Sequence, residues 1–417
     1  KLMTPSNDLF NLIKSLSAAE KIFFKTNCSP KREGEKVYMA LYDAIDKQTR
    51  SIKGEEKYDE KKIKKQLGKA VDARSFSVIK NYLFHLILNT LYSYYPDALP
   101  DFTVQQMIGK AKILNAKQLT EQAAKLIRKA IQGALTNELF PEALQALEVE
   151  RRIIEFHDTE VYKRLITDNL AEERIILEKH NNLLEYVHLQ SKMFTMYREN
   201  IVVRNKQDIV FFEEILKHPL LQNEFSALSF RSKYFFYVIK SICSRYLGDM
   251  KKSYAYGQKL LALFESVPMV SFRIKMYINS LYQIAGIQIL LGKFTDAMQN
   301  VRKIRDLRKS FPQFSKNISP EALFISSVVL ETDLYLHIPD YETGAVQVPR
   351  IAAELKKFGH ALPKHGQYML YYNITLLYFG IGDHHNALHW LNKILNESKD
   401  DYVLDLICAA RMLFLIV

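Results

Sequence analysis

Tyr378-Phe379-Gly380-Ile381-Gly382-Asp383-His384-His385-Asn386-Ala387-Leu388 reads as the end of one helix, a tight turn and the start of another. Gly382 supplies the left-handed backbone that closes a helix without a Cβ penalty. Ala387, five residues on, is small enough for the second helix to approach the first. Ile394, twelve residues after the glycine, fills the groove between them one turn further along.

The same joint occurs twice more. Gly248-Asp249-Met250-Lys251-Lys252-Ser253 is followed by Leu260, and Gly292-Lys293-Phe294-Thr295-Asp296-Ala297 by Ile304. The glycines at 248, 292 and 382 are separated by one interval and then by about twice that interval, so a degenerate copy is expected midway. Ile338-Pro339-Asp340-Tyr341-Glu342-Thr343-Gly344-Ala345 has the required turn chemistry, with proline in place of glycine. A period of about 45 residues between helix pairs is the mark of a helical solenoid.

On these residues, and best at Tyr378 to Leu388, the chain resembles the tetratricopeptide repeat. The resemblance covers 230–417 and extends to 104–229 by extrapolation. The period is about ten residues longer than that family's, and its Trp-Leu-Gly pattern in the first helix is missing. The opening, Asp8-Leu9-Phe10 through Leu16-Ser17-Ala18-Ala19-Glu20-Lys21 to Phe23-Phe24-Lys25, is similar to tetratricopeptide-like proteins of Bacteroidota. The resemblance implies an all-α fold, a right-handed α-solenoid of antiparallel helix pairs whose first helices line a concave groove. Counting back from each glycine as that pattern implies, the groove positions hold Arg245, Tyr246, Asn279, Tyr282 and Tyr372. These residue types combine contact area with hydrogen bonding.

Helical signals also run through the rest of the chain. Residues 1–100 are expected to form an N-terminal helical region. Its helices lie near Asp8–Leu16, after the capping box Ser17-Ala18-Ala19-Glu20, and at Val37–Gln48, Tyr58–Leu67 and Ser75–Tyr95, with Gly54 in a polar linker. Residues 101–229 are expected to hold longer helix pairs, beginning with Leu119–Leu135 and Pro141–Phe156. Between Pro141 and Pro219 there is neither proline nor glycine. Ile176, His180, Leu183, Val187, Gln190, Phe194 and Tyr197 alternate by four and three there, a seam of nearly heptad spacing. Residues 230–417 carry the repeats, and Asp401–Val417 reads as the first helix of a further pair, an array ending mid-repeat.

Composition narrows the class. Only 14 glycines and 12 prolines stand against 48% apolar residues, which favours long helices and argues against disorder. The three cysteines, Cys28, Cys243 and Cys408, lie far apart with no CxxC, so reduced thiols and a cytoplasmic location are expected. Lys1 to Phe10 has no apolar signal-like core, and no apolar run is long enough for a bilayer, so membrane insertion is not expected.

Candidate chemistry is sparse. His384, His385 and His389 cluster at the last joint, with His360 and His365 in the preceding loop, but third and fourth ligands at zinc spacing are missing, so no metal and no cofactor is expected. No HExxH, Walker, GxGxxG or GxSxG motif occurs. The carboxylate pairs Glu172-Glu173 and Glu213-Glu214 read as surface charge. The formal charge of +12 has one local focus at Arg302, Lys303, Arg305, Arg308 and Lys309, and another at Lys61, Lys62, Lys64, Lys65 and Lys69. A basic helix face of this kind tracks phosphates, but neither run carries interleaved aromatics. The expectation is a non-catalytic scaffold that binds a protein or peptide partner in a groove. The alternative is a nucleic-acid-binding regulator that uses Arg302, Arg305, Arg308 and Lys309.

Overall fold

The computed structural model describes residues 7–28, 33–49, 58–67, 76–94, 100–199, 205–359, 362–397 and 404–416. Gly54, Lys69 and His360 lie outside these, as does the side chain of Tyr197. Every regular element among the described residues is a helix. The chain divides into two compact units, Lys1–Gln106 and Met107–Val417.

The first unit contains α1 (Asp8–Ser15), α2 (Ala18–Asn27), α3 (Glu33–Thr49), α4 (Glu60–Leu67) and α5 (Phe76–Tyr94). The capping box forms as read: the Ser17 N–H donates to Glu20 at 2.6 Å and the Glu20 N–H donates to the Ser17 hydroxyl at 3.3 Å. Leu9, Ile13, Phe24, Leu41, Ile45, Leu83 and Ile87 form one buried core. Glu60 takes both the almost fully buried Lys80 of α5 at 3.1 Å and Lys64 at 2.7 Å, so part of the lysine-rich α4 face is paired.

Met107 falls within α6 (Pro100–Ala116). Then come α7 (Thr120–Thr136), α8 (Phe140–Ile154), α9 (Thr159–Glu199), α10 (Lys206–Lys217), α11 (Phe230–Tyr246), α12 (Met250–Glu265), α13 (Ser271–Leu290), α14 (Phe294–Ser310), α15 (Pro320–His337), α16 (Tyr341–Phe358), α17 (Lys364–Gly380), α18 (His384–Glu397) and α19 (Leu404–Phe414). From α11 onward each helix packs on the next, and α15 also packs on both α13 and α17. The 41-residue α9 packs on both α8 and α11 and carries the array across residue 229.

The joints explain this order. Gly248, Gly292 and Gly382 have φ of 81°, 71° and 77°, and Gln118 and Glu138 take the same left-handed turn at 62° and 51°. At each, the next residue donates its N–H to the carbonyl five back: Leu119 to Leu114, Leu139 to Ala134, Asp249 to Ser244, Lys293 to Gln288 and Asp383 to Tyr378, all at 2.8–3.0 Å. Asp340 closes the Pro339 joint on Tyr335 in the same way, at 3.0 Å. This is the Schellman closure, and the donor doubles as N-cap of the following helix: Leu119, Leu139, Asp249, Lys293 and Asp340 all have φ between −97° and −87° and ψ between 58° and 74°. Asp249, Asp340 and Asp383 also accept an N–H in the first turn with their side chains. Five residues past each left-handed position stand Ala123, Ala143, Ser253, Ala297, Gly344 and Ala387, all buried.

Glu138 pays for its strained turn elsewhere. Its carboxylate, 9% exposed, accepts the N–H groups of Phe230 at 2.6 Å and Arg231 at 2.9 Å. It therefore caps α11 from 92 residues away and places negative charge at a helix N-terminus, where the backbone dipole favours it.

Four variants separate these effects in thermal melts. A Cβ on Gly344 would lie 2.6 Å from Leu377 Cδ2 and 3.1 Å from Tyr335 Cβ, so Gly344→Ala destabilises by overpacking, by about 1–3 kcal/mol. Gly248 faces open space, and Gly248→Ala costs only the left-handed strain, ~1–2 kcal/mol. Glu138→Ala loses the cap, about 1–2 kcal/mol, whereas Glu138→Gly costs less because glycine relaxes the turn. An Ala variant as stable as the Gly variant at 138 contradicts this account.

Candidate interaction groove

A groove of about 310 Å³ lies among α9, α11 and α13. On α11, Tyr234, Val238, Ile242 and Arg245 face it, a spacing of four, four and three that keeps one face of the helix in line. Asn279, Tyr282 and Gln283 contribute from α13, and Gln190, Met193 and Phe194 from α9. The groove has two distinguishable ends. Tyr234 and Asn279 stand together at one end, where burial pushes the Tyr234 phenol up to about 12 and Asn279 opposes the rise. At the other end, near Arg245, the Cys243 thiol contacts Met193 sulfur at 3.8 Å.

The electrostatics are one-sided. None of the residues facing the groove is acidic, and Arg245 is the sole charge among them. Arg245 lies 5.6 Å from the Tyr246 ring, measured to its centre, and forms no ion pair with a described residue. Phe194 and Tyr282 are exposed aromatics at 42% and 38%. The walls thus offer one half-buried guanidinium, three side-chain amides and two aromatic faces over an apolar floor.

Three of the five expected groove residues, Arg245, Asn279 and Tyr282, meet here. Tyr246 goes elsewhere: one step along a helix turns the side chain by about 100°, and its ring stacks on Phe212 of α10 at 4.7 Å. Tyr372, half-buried against the α15–α18 core, has its phenol pushed up by burial and stands apart from the groove. Tyr371 packs on Trp390 at 5.4 Å, and Tyr237 donates to Glu224 at 2.9 Å. Counting back from the glycines missed Tyr234, Val238, Ile242 and Gln283, although the spacing on α11 identifies the first two turns once Arg245 is placed. Phe194, expected in the α9 seam, is exposed. A straight helix drifts from a seven-residue repeat, so Tyr186 and Met193 take the buried places.

The basic stripe is partly spent within the fold. Arg305 makes a two-pronged pair with the buried Glu331, and Arg350 reaches the same carboxylate at 3.3 Å. Lys309 pairs with Asp306 at 2.8 Å, while Arg302 and Arg308 are exposed. The joint histidines make ring contacts, His384 with Phe379 and His389 with Trp390. Among the described residues no three His, Cys, Asp or Glu side chains gather closely enough to hold an ion, and no helix is long and apolar enough to cross a membrane.

No known protein family matches the chain, and no curated protein is similar enough to count as a relative.

Arg305→Ala leaves Glu331 with one distant partner, and because Arg305 is about a third exposed the expected loss is tempered by solvent to about 2 kcal/mol. Arg302→Ala changes stability by less than about 0.5 kcal/mol. Denaturant titration of the two variants checks this, and equal midpoints would remove the Glu331 network from the account.

Proposed function

We propose that this chain is a non-catalytic interaction protein that holds a peptide segment of its partner in the groove among α9, α11 and α13. The observation that carries this reading is the convergence of Arg245, Asn279 and Tyr282, three residues picked from the joint pattern, on one concave surface. In this reading the helix pairs form a right-handed, tetratricopeptide-like solenoid with a period of about 45 residues, in a cytoplasmic protein of bacterial origin. The recurrent joints support that architecture, since each sets a helix pair with the same turn and the same close approach.

Amide side chains support a peptide occupant. Asn279, Gln283 and Gln190 each present a donor and an acceptor, the complement of a backbone peptide group. An extended segment laid along a groove uses such contacts for affinity and its side chains for selectivity. The nucleic-acid reading has less beneath it: Arg305 and Lys309 already have acidic partners, and the run 302–309 carries no interleaved aromatic on which to stack a base.

The test is selection of a random peptide library on the immobilised full chain, with Phe194→Ala/Tyr282→Ala beside it. Both side chains are partly exposed, and a thermal melt run beside the selection checks that the double variant is folded. The parent enriches a peptide consensus and the variant loses it. A consensus that survives in the variant places binding elsewhere.

A further inference from the structure

The geometry points to a groove selective for acidic peptides: the occupant is an extended segment of about five residues that carries an Asp or Glu side chain against Arg245. This rests on the groove reading above and adds the chemistry of the occupant.

Length comes first. Tyr234 and Arg245 mark the two ends of the α11 face, eleven residues apart in sequence. At ~1.5 Å per residue of helix they are separated by roughly 16 Å along the axis. An extended chain advances about 3.3 Å per residue, so the distance takes about five residues. A free amino acid or a single small acid would fill only one end.

Charge comes next. Arg245 is half-buried, held at the C-terminal turn of α11, with no acidic residue facing the groove and no ion-pair partner among the described residues. Elsewhere in this unit Arg151 pairs with Glu173 at 2.8 Å and Arg305 with the buried Glu331, and Arg273 donates to the Pro268 carbonyl and lies over the Phe230 ring. Arg245 has neither an acidic nor a carbonyl partner among the described residues, and it faces the groove. A planar guanidinium recognises a carboxylate through two parallel hydrogen bonds. Lys275 stands one turn before Asn279 on α13, exposed and also without a carboxylate partner among the described residues.

The remaining walls fit the rest of such a segment. Asn279 and Gln283 both face the groove from α13, where a main chain would pass. Val238, Ile242 and Met193 floor the middle, which suits an apolar side chain two or three residues from the acid. Phe194 and Tyr282 close over it from either side.

Retention on the immobilised full chain is compared for three pools of amidated nonapeptides, random except for a central Glu, Gln or Lys. Amidation leaves no terminal carboxylate to compete. The parent retains the Glu pool about tenfold over the Gln pool, the margin of one charge-assisted hydrogen-bond pair, and the Lys pool least. Arg245→Gln removes the preference for Glu over Gln while still retaining peptide. Arg245→Glu inverts the order toward Lys. Thermal melts check that both variants are folded; Arg245→Gln loses no ion pair with a described residue, and Arg245→Glu melts somewhat lower because an acid at the last turn of α11 opposes the helix dipole. Equal retention of the Glu and Gln pools by the parent overturns the acidic selectivity and leaves the groove reading standing. A Glu preference that persists in Arg245→Glu also overturns it, since the preference then comes from the chain's overall positive charge. Retention of none of the pools sinks both readings.

Discussion

The array depends on a turn of two residues. One takes the left-handed conformation and ends a helix, and the next closes the Schellman bond while capping the helix that follows. Such a joint leaves no slack. The second helix departs at an angle set by the backbone, and five residues later it meets the first helix at a point where only Ala, Ser or Gly fits. At Gly344 even one methyl collides with Leu377. Successive pairs then stack, α15 against both α13 and α17, and the groove lies where α11 and α13 face α9.

The turns also show how much of the fold was legible. Where glycine holds the left-handed position, at 248, 292 and 382, the sequence announces the joint. The Pro339 copy was found by counting and confirmed in kind by the Asp340 to Tyr335 bond. Gln118 and Glu138 were not visible as joints, since neither residue type advertises a positive φ. The cost at Glu138 is offset by a cap on α11 that lies 92 residues away, and a contact so distant leaves no trace in local pattern. Helix ends were read to within a few residues for the same reason that the joints were: capping and closure are local.

The site was harder to read because it depends on rotation about a helix axis. Arg245 and Tyr246 are neighbours in sequence and face different partners, one the groove and the other Phe212. Position alone cannot separate them, but the buried register of α11 does. Basic residues posed the related problem of telling a free charge from a spent one. Arg305 looked like part of an open stripe and is instead tied to Glu331, whereas Arg245, with no stripe around it, faces the groove without an acidic partner among the described residues.

The central claim is that the face shared by α9, α11 and α13 receives the partner. Hydrogen–deuterium exchange of the full chain, with and without saturating amounts of a library-selected peptide, tests it directly. The account predicts slowed exchange within 190–196, 234–246 and 279–286, with 302–309 and 60–67 unchanged. Protection confined to 302–309, with the three groove segments exchanging as before, would contradict it.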